Sequence, residues 1–182
     1  DNRKGIPTQA ILCLETGGVR LQEANLGLAA IADIHAAIVD LRRYVPVIGI
    51  IAGTVGCFGG MSIAAALCSY LIVTREARLG LNGPQVIEQE AGIEEYDSRN
   101  RPFIWSLTGG EARYRTGFVD ALVDDSLAAV RKAATDCIAM GRPASLRCER
   151  YDDYLEKLNA FDTREQASAE RAAALFGKGE RS

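Results

Sequence analysis

The sequence predicts an α/β fold in which buried parallel strands alternate with helices. Three short apolar runs, at 10–14, 47–52 and 70–74, have the length and composition of buried strands. A helical pattern separates the first two runs, and a glycine-rich loop follows each of them. Ligands in such folds bind at the carboxyl ends of strands, so segments 16–23 and 53–60 are predicted to form the site.

The first half of the chain alternates regularly between the two kinds of element. The first helix, from about 26 to 44, is indicated by apolar residues at spacings of three and four, and Pro46 ends it. The loop 53–60 then opens a wholly apolar helix that runs from Met61 to residue 68 or 69. This helix leads directly into the third strand, so we expect both to lie in the core.

The second half is predicted to be mainly helical. Residues 78–81 read as extended chain, and a helical stretch opens at 86–89. Thr108 and Glu111 have the spacing of a capping box, which predicts a helix to about residue 116. A strand at 119–123, a helix from Ser126 and a helical tail complete the chain. The expected domains are a core at 1–135 and a helical C-terminal extension at 136–182.

The composition is that of an ordinary globular domain. The 182 residues are 48% hydrophobic and 25% charged, with a net charge of −3. No strong positive charge points to nucleic acid or to an anionic membrane, and the apolar run 61–73 is too short to span a bilayer. Five cysteines without a C-x-x-C pair argue against a disulfide framework or a zinc ribbon, so a reducing, cytoplasmic setting is expected.

The two glycine loops are the candidate site. Glycine at a strand–helix junction lets the backbone approach a ligand, and amides at a helix N-terminus are unpaired and partly positive. Such amides suit a phosphate, or the oxygen of a thioester as it becomes an enolate. The alternative is that these glycines only make tight turns. Neither loop matches a nucleotide-phosphate motif.

Two segments carry a resemblance to a known family. The sequence T-G-G-V-R-L-Q-E at 16–23 resembles the S-G-G-A-R-[MI]-Q-E motif of acyl-CoA carboxyltransferases, and G-L-N-G-P-Q-V-I-E-Q at 80–89 resembles their G-F-A-G-P-R-V-I-E-Q segment. Together with A-G-T-V-G-C-F-G-G-M at 52–61, they are most similar to the beta-subunit family of biotin-independent malonate decarboxylases. The resemblance covers roughly residues 5–130.

The resemblance implies both a fold and an activity. The fold would be the crotonase (ClpP-like) ββα superhelix, here lacking its N-terminal strands, because family members are longer at that end. The activity would be decarboxylation of malonyl-S-acyl-carrier-protein, with the substrate on a CoA-like phosphopantetheine arm. No directly bound cofactor is implied. The implied partners are a gamma subunit, the acyl carrier protein subunit and the malonyl thioester, with no nucleic acid or membrane.

The resemblance also implies which residues act. The thioester oxygen would face backbone amides, so the expected catalytic residues are Gly17, Gly18, Gly59 and Gly60. The expected substrate-binding residues are their neighbours in the two loops, Val19, Arg20, Gly56, Cys57 and Phe58.

The sequence departs from crotonase-type hydratases at two positions. Ser62 and Gln85 stand where those enzymes carry catalytic glutamates. A hydratase needs such carboxylates for acid–base chemistry, whereas a decarboxylase mainly needs to stabilise an enolate oxygen. Two alternatives stay open: a carboxyltransferase half that acts with biotin, and a non-catalytic scaffold.

The remaining candidates have simple structural interpretations. His35, the only histidine, lies on the apolar helix face, so a core or interface role is expected ahead of a catalytic one. Cys57 is expected to line the pocket rather than act as a nucleophile, and Arg20 and Glu23 are expected to form a pair. The acidic stretch at 88–95 is expected to be solvated or to contact a subunit. Phe103 and Trp105 are expected in the core.

Overall fold

The structure, a computed structural model, describes residues 9–18, 22–23, 25–165 and 168–177. It confirms the predicted alternation of strands and helices. The elements are β1 Ala10–Cys13, α1 Asn25–Leu41, β2 Val47–Ile51, α2 Gly60–Leu67, β3 Tyr70–Thr74, α3 Pro84–Ala91, α4 Arg101–Thr108, α5 Gly110–Arg115, β4 Ala121–Val123, α6 Leu127–Met140, a 3₁₀ turn Arg147–Arg150, α7 Tyr151–Asn159 and α8 Ala169–Phe176.

The described strands form one parallel sheet in the order β1-β2-β3-β4. Leu12 pairs with Gly49, Gly49 pairs with Leu71, and Val73 pairs with Leu122. Each strand is joined to its neighbour through helical segments, as parallel pairing requires. The chain therefore winds steadily in one direction across the sheet, and the carboxyl ends of all four strands lie at the same edge.

Both faces of the sheet are covered. On one face α1 and α2 pack against the strands, where Ile38 and Ala64 join Val47 and Leu71 in a buried cluster. On the other face α6 contributes Ala134 and Cys137 to a second cluster, which lies around the β2 and β3 side chains. Residues of β2 and β3 are buried throughout, which explains their unbroken apolar sequence.

The packing of α6 bears on the expected domain boundary. A division at residue 135 would cut this continuous helix, because Cys137 is as much a part of the core as Ala134. The helix ends at Gly141, whose φ of 69° suits glycine. The packing therefore places any transition to the C-terminal helices after Met140.

Three local predictions in the second half were wrong. Helix α4 was not predicted, although Asn100 caps it and a proline stands in its first turn. Thr108 ends α4 and donates its hydroxyl to the Ile104 carbonyl, so it does not cap α5. Trp105 is only partly buried; its indole donates to the Glu76 carbonyl at 3.2 Å. Phe103, also partly buried, packs edge-on against another ring.

Two features of the described residues bear on function. Within the described ranges, no helix is long and apolar enough to cross a membrane. The same residues contain no group of three or more His, Cys, Asp or Glu side chains arranged to hold a metal ion.

Candidate functional site

The two glycine loops meet at the carboxyl edge of the sheet, as the sequence predicts. The Thr16 amide donates to the Gly56 carbonyl at 2.9 Å. The Val55 amide donates to Oε1 of Glu15 at 3.1 Å. Because β1 and β2 are neighbours and end together, the loops that follow them lie side by side and are joined by these two bonds.

Two glycines in the second loop lie where another part of the chain approaches closely. A Cβ at Gly53 would lie 1.5 Å from Oε1 of Glu15, so the exposed Glu15 side chain would have to move for any other residue to stand there. Gly56 has a φ of +85°, and a Cβ there would lie 2.8 Å from the Arg78 carbonyl oxygen. Gly56 is therefore glycine for a structural reason, and because it is buried it presents no open surface to a substrate.

Two of the four predicted catalytic amides are already engaged. The Gly59 amide donates to the Leu81 carbonyl at 2.7 Å, and the Gly18 amide donates to Oγ1 of Thr16 at 3.1 Å. An amide that is bonded within the protein cannot also donate fully to a ligand. The expectation of a free Gly59 amide is therefore corrected: its partner comes from a segment 22 residues further along the chain.

Three neighbouring amides remain available. Gly60 and Met61 form the first turn of α2, and neither amide has a hydrogen-bond partner within the described part of the chain. The same holds for Gly17, which is exposed in the first loop. The first amides of a helix carry partial positive charge, so this edge suits an oxygen that gains negative charge.

The peptides that carry these amides are held by two side chains. The Ser62 hydroxyl donates to the Gly59 carbonyl at 2.7 Å, and the Ser62 amide donates to the same oxygen at 3.0 Å. The half-buried His35 reaches from α1 and places its Nε2 2.8 Å from the Gly60 carbonyl. A carbonyl only accepts, so this nitrogen carries the proton.

Cys57, one of the predicted substrate-binding residues, does not reach the surface. Cys57 is fully buried in the core between the sheet and α2, and burial raises the pKa of its thiol to about 12. Its amide donates to the Arg78 carbonyl at 2.9 Å, and its carbonyl accepts from the Gly80 amide at 3.2 Å. Every polar group of the residue is thus engaged or enclosed.

Arg78 organises the second loop and was missed in the sequence. Its guanidinium donates to the Thr54 carbonyl at 2.8 Å and to the Val55 carbonyl at 3.0 Å. It also lies over the rings of Phe58 and Trp105, with distances of 5.4 and 4.7 Å to the ring centroids. Burial lowers the pKa of Arg78. Phe58 therefore supports the loop from within, and no local motif pointed to Arg78.

Two predicted substrate-binding residues, Val19 and Arg20, lie outside the described residues, so their roles stay predictions. The expected pair of Arg20 with Glu23 is likewise outside what the structure describes. In the acidic stretch, the Glu88 carboxylate accepts the Ser98 amide at 2.6 Å, and this bond lowers the pKa of Glu88.

A cleft of about 210 Å³ lies along α2, beginning at Ser62. Its other walls include Leu81, Phe118 and two arginines. One of them, Arg113, donates its Nε to the Leu79 carbonyl at 2.7 Å, and burial lowers its pKa. A larger cleft of about 750 Å³ adjoins Tyr70, at the opposite end of the sheet from the glycine loops. The cleft beside Ser62 is the candidate site, because Ser62 directly follows Gly60 and Met61 in α2.

No family model matches the chain. Solved structures and curated proteins are similar to it, among them two structures of one enzyme. A Pseudomonas malonate decarboxylase hetero-tetramer, solved in complex with malonate, contains a chain that is 67% identical over 97% of this chain, with a TM-score of 0.91. A Pseudomonas malonate decarboxylase hetero-dimer gives 65% identity over 87% of this chain, with a TM-score of 0.77.

One curated relative is a malonyl-S-ACP:biotin-protein carboxyltransferase of Malonomonas rubra, 44% identical over 125 residues, or 69% of this chain. This chain spans 39% of that relative, and 64% and 65% of the two Pseudomonas chains. The similarity therefore covers only part of the length of each relative.

Proposed function

Because the chain belongs to the carboxyltransferase family and has its crotonase fold, as the malonate decarboxylase subunits do, we propose that it acts in a malonate decarboxylase. The proposed reaction converts malonyl-S-acyl-carrier-protein to acetyl-S-acyl-carrier-protein and CO₂. The observation that carries this proposal is the group of free amides at Gly17, Gly60 and Met61, on two loops that are bonded to each other.

The chemistry requires one bond to break and one to form. The bond between the malonyl methylene carbon and the carboxylate carbon breaks, and CO₂ leaves. The electron pair moves into the new carbon–carbon double bond of an enolate, whose negative charge rests on the thioester oxygen. A proton taken from water then adds to the methylene carbon, giving the acetyl thioester. The catalyst has to stabilise the enolate oxygen more than the ketone-like thioester oxygen.

Fixed amides at the start of α2 meet this demand. Donors that already point at the developing charge need no reorganisation during the reaction, and losing one typically costs about 10²- to 10³-fold in rate. Gly60 and Met61 supply two amides from one helix end, and Gly17 supplies another from the neighbouring loop. We place the thioester oxygen between them.

The rest of the site supports a reaction without protein acid–base groups. Ser62, at the position of a hydratase glutamate, donates its proton to a backbone carbonyl, and Gln85, at the other such position, is exposed. The cleft beside Ser62 has apolar side chains along most of its walls, which suits the neutral CO₂ that the reaction releases.

The proposed partners follow from exposed apolar side chains. Leu26, Leu28, Ile34 and Val39 of α1 are exposed, Leu26 to 77% of its surface. Such a run on one helix is typical of a covered surface in an assembly. The similar Pseudomonas chains come from a hetero-dimer and a hetero-tetramer. We assign contacts of α1 to a gamma subunit of the same fold, with the acyl carrier protein delivering its arm to the glycine loops. The proposed location is the cytoplasm.

A second candidate function is transfer of the carboxyl group to biotin on a carrier protein. The name of the Malonomonas rubra relative, which includes a biotin protein as acceptor, favours it. Both reactions begin with the same enolate and use the same amides. They differ in the fate of the carboxyl carbon, which leaves as CO₂ in the first and becomes bound to biotin in the second. A non-catalytic scaffold would bind no acyl thioester at the loops.

The test is an assay of the complete complex with malonyl-S-acyl-carrier-protein whose carboxyl carbon is labelled. We expect labelled CO₂ without biotin or ATP, in the presence of avidin and of a metal chelator. Release that needs a biotinylated carrier would favour the transferase, and loss in chelator that a divalent metal restores would contradict a metal-free mechanism.

A glycine variant connects the activity to the site. Gly60→Val is expected to abolish most CO₂ release while the complex still assembles. Gly83→Val is the matched control, because a Cβ at Gly83 meets nothing within 4 Å and its φ is −68°. Normal turnover by the Gly60 variant would remove this amide from the mechanism.

A further inference from the structure

We propose that His35 and Ser62 are positioning residues for the two amides at the start of α2. The inference rests on the proposed function, since it concerns the donors that hold the thioester oxygen. Neither side chain touches substrate in this proposal. Each acts through a peptide carbonyl, His35 on Gly60 and Ser62 on Gly59.

Peptide geometry links each carbonyl to the amide that matters. In a planar trans peptide the carbonyl of one residue and the N–H of the next point in opposite directions. The Gly59 carbonyl, held by the Ser62 hydroxyl and amide, therefore fixes the direction of the Gly60 N–H. In the same way, the Gly60 carbonyl held by His35 fixes the direction of the Met61 N–H.

The chain itself provides little stiffness at this point, so the side chains are needed. Gly59 has a φ of 62° and nothing within 4 Å of a built Cβ, and glycine pairs are the most flexible part of a backbone. The Gly59 amide bonded to Leu81 is a third constraint, from the far side of the loop. Hydrogen bonds to Leu81, Ser62 and His35 thus orient three consecutive peptides, the last two of which carry the Gly60 and Met61 amides.

The same bonds strengthen the amides as donors. A carbonyl that accepts a hydrogen bond polarises its peptide, so the N–H of that peptide donates more strongly, by roughly 10–30% per bond in condensed-phase estimates. The partly buried His35 ring reaches from α1 to the first residue of α2, and the two helices are closely packed here, since a Cβ at Gly60 would come within 2.7 Å of Cγ2 of Ile31.

The first measurement compares paired variants of the complete complex. His35→Leu and Ser62→Ala remove the donor, whereas His35→Gln and Ser62→Thr keep one. A misplacement of about 1 Å costs up to about 10²-fold. We therefore expect the first pair to lower kcat roughly 10-fold with KM within about twofold, and the second pair to stay within about threefold of the wild type. Ile38→Val, a buried change on the same face of α1, is the packing control.

The second measurement does not depend on turnover. Infrared difference spectra of a bound acetyl thioester labelled at its carbonyl carbon report the hydrogen bonds that this oxygen accepts. We expect the wild-type complex to lower the carbonyl frequency, His35→Leu and Ser62→Ala to reverse part of that shift, and Ile38→Val to leave it unchanged.

The outcomes separate this inference from the proposed function. A shift that His35→Leu reverses supports the positioning role even if the complex releases no CO₂, in which case the proposed reaction fails alone. A carbonyl frequency in His35→Leu and Ser62→Ala equal to that of the wild type overturns the positioning role. So does an equal loss of kcat in His35→Leu and Ile38→Val. An unshifted wild-type carbonyl overturns both proposals.

Discussion

The amide of Thr16 and the carbonyl of Gly56 are 2.9 Å apart, and this hydrogen bond makes two separate loops into one surface. Thr16 follows β1 and Gly56 follows β2. The first residues of these strands, Ala10 and Val47, are paired in the sheet although they are 37 positions apart in the sequence. Parallel pairing alone brings these loops to the same edge. The bond then fixes their separation, which a thioester oxygen between two sets of amides requires.

The first prediction concerns Gly56. Gly56→Ala places a Cβ 2.8 Å from the Arg78 carbonyl at a φ of +85°, so both strain and collision oppose it. We expect a loss of about 2–4 kcal/mol in the free energy of unfolding, measured by urea denaturation. The control is Gly92→Ala, where φ is +91° but nothing lies within 4 Å, and where strain alone should cost about 1 kcal/mol. Equal losses would show that the approach of Arg78 is unimportant.

How far the sequence predicts this fold depends on how local each signal is. Strand β3 was predicted at its observed bounds, because a buried parallel strand is a continuous apolar run. This signal lies entirely within the strand's own sequence. Helix α4 was missed because it is short, and its Asn100 cap and proline also suit a turn. Thr108 was predicted to cap α5 but ends α4, because a Thr-x-x-Glu sequence fits both the start of one helix and the end of the helix before it.

The candidate site could be predicted only in part, because some of its features depend on residues that are distant in sequence. The sequence predicts that both glycine loops lie together, since that follows from strand order. It does not predict which amides are free, because the Gly59 amide is engaged by Leu81 and the loop itself is held by Arg78, both distant in sequence. Hydrogen-bond partners that are distant in sequence leave no periodic pattern, so the free amides could not be predicted from the sequence.

The second prediction concerns Arg147, whose side chain is only 8% exposed. It donates to the Asp120 carboxylate and to the carbonyls of Ala66 and Cys68, which lie at the end of α2. Arg147→Ala should lower the free energy of unfolding by about 2–3 kcal/mol. This is less than for a fully buried pair, because Asp120 is 39% exposed.

The control for Arg147 is an exposed ion pair. Lys132 and Asp136 are one helical turn apart on the solvent side of α6, at 2.7 Å, and both are more than half exposed. Lys132→Ala is expected to change the free energy of unfolding by no more than about 0.5 kcal/mol. If both variants lowered the free energy of unfolding by the same small amount, the contacts of Arg147 with the end of α2 would make no net contribution to stability.

The third prediction concerns pH. Burial raises the pKa of Cys57 from 9.0 to about 12, so above pH 9 the unfolded chain releases this proton while the folded chain keeps it. Stability due to this group is therefore present below pH 9 and lost as the pH rises toward 12. The slope reaches at most about 1.4 kcal/mol per pH unit for one group.

Cys57→Ala measures this contribution. Removing the thiol costs some packing at every pH, but the free energy of unfolding should then fall less steeply between pH 9 and 12 than in the wild type. Cys68 and Cys137, with pKa values raised to about 11, remain in both proteins and cancel in the comparison. Parallel curves for the two proteins would mean that the Cys57 thiol titrates normally.

The last prediction couples the fold to the proposed site through Gly60. A Cβ at Gly60 would lie 2.7 Å from Cγ2 of Ile31, a side-chain atom on α1, so Gly60→Ala must push the two helices apart or move Ile31. Either movement shifts the start of α2, where the candidate amides lie. We expect Gly60→Ala to cost about 1–3 kcal/mol in stability and to lower CO₂ release by the complex.

Shortening the colliding side chain should undo part of this loss. Ile31→Ala removes Cγ2 and leaves a gap, which costs stability alone, but in the double variant the new methyl group occupies that gap. The double-mutant cycle should therefore give a favourable coupling of about 1 kcal/mol or more, and CO₂ release should recover relative to Gly60→Ala. Additive stabilities would show that the collision is relieved elsewhere. Recovery of stability without recovery of CO₂ release would instead mean that the Gly60 methyl group disturbs the amide directly, and that the packing of α1 on α2 does not control the position of the donors.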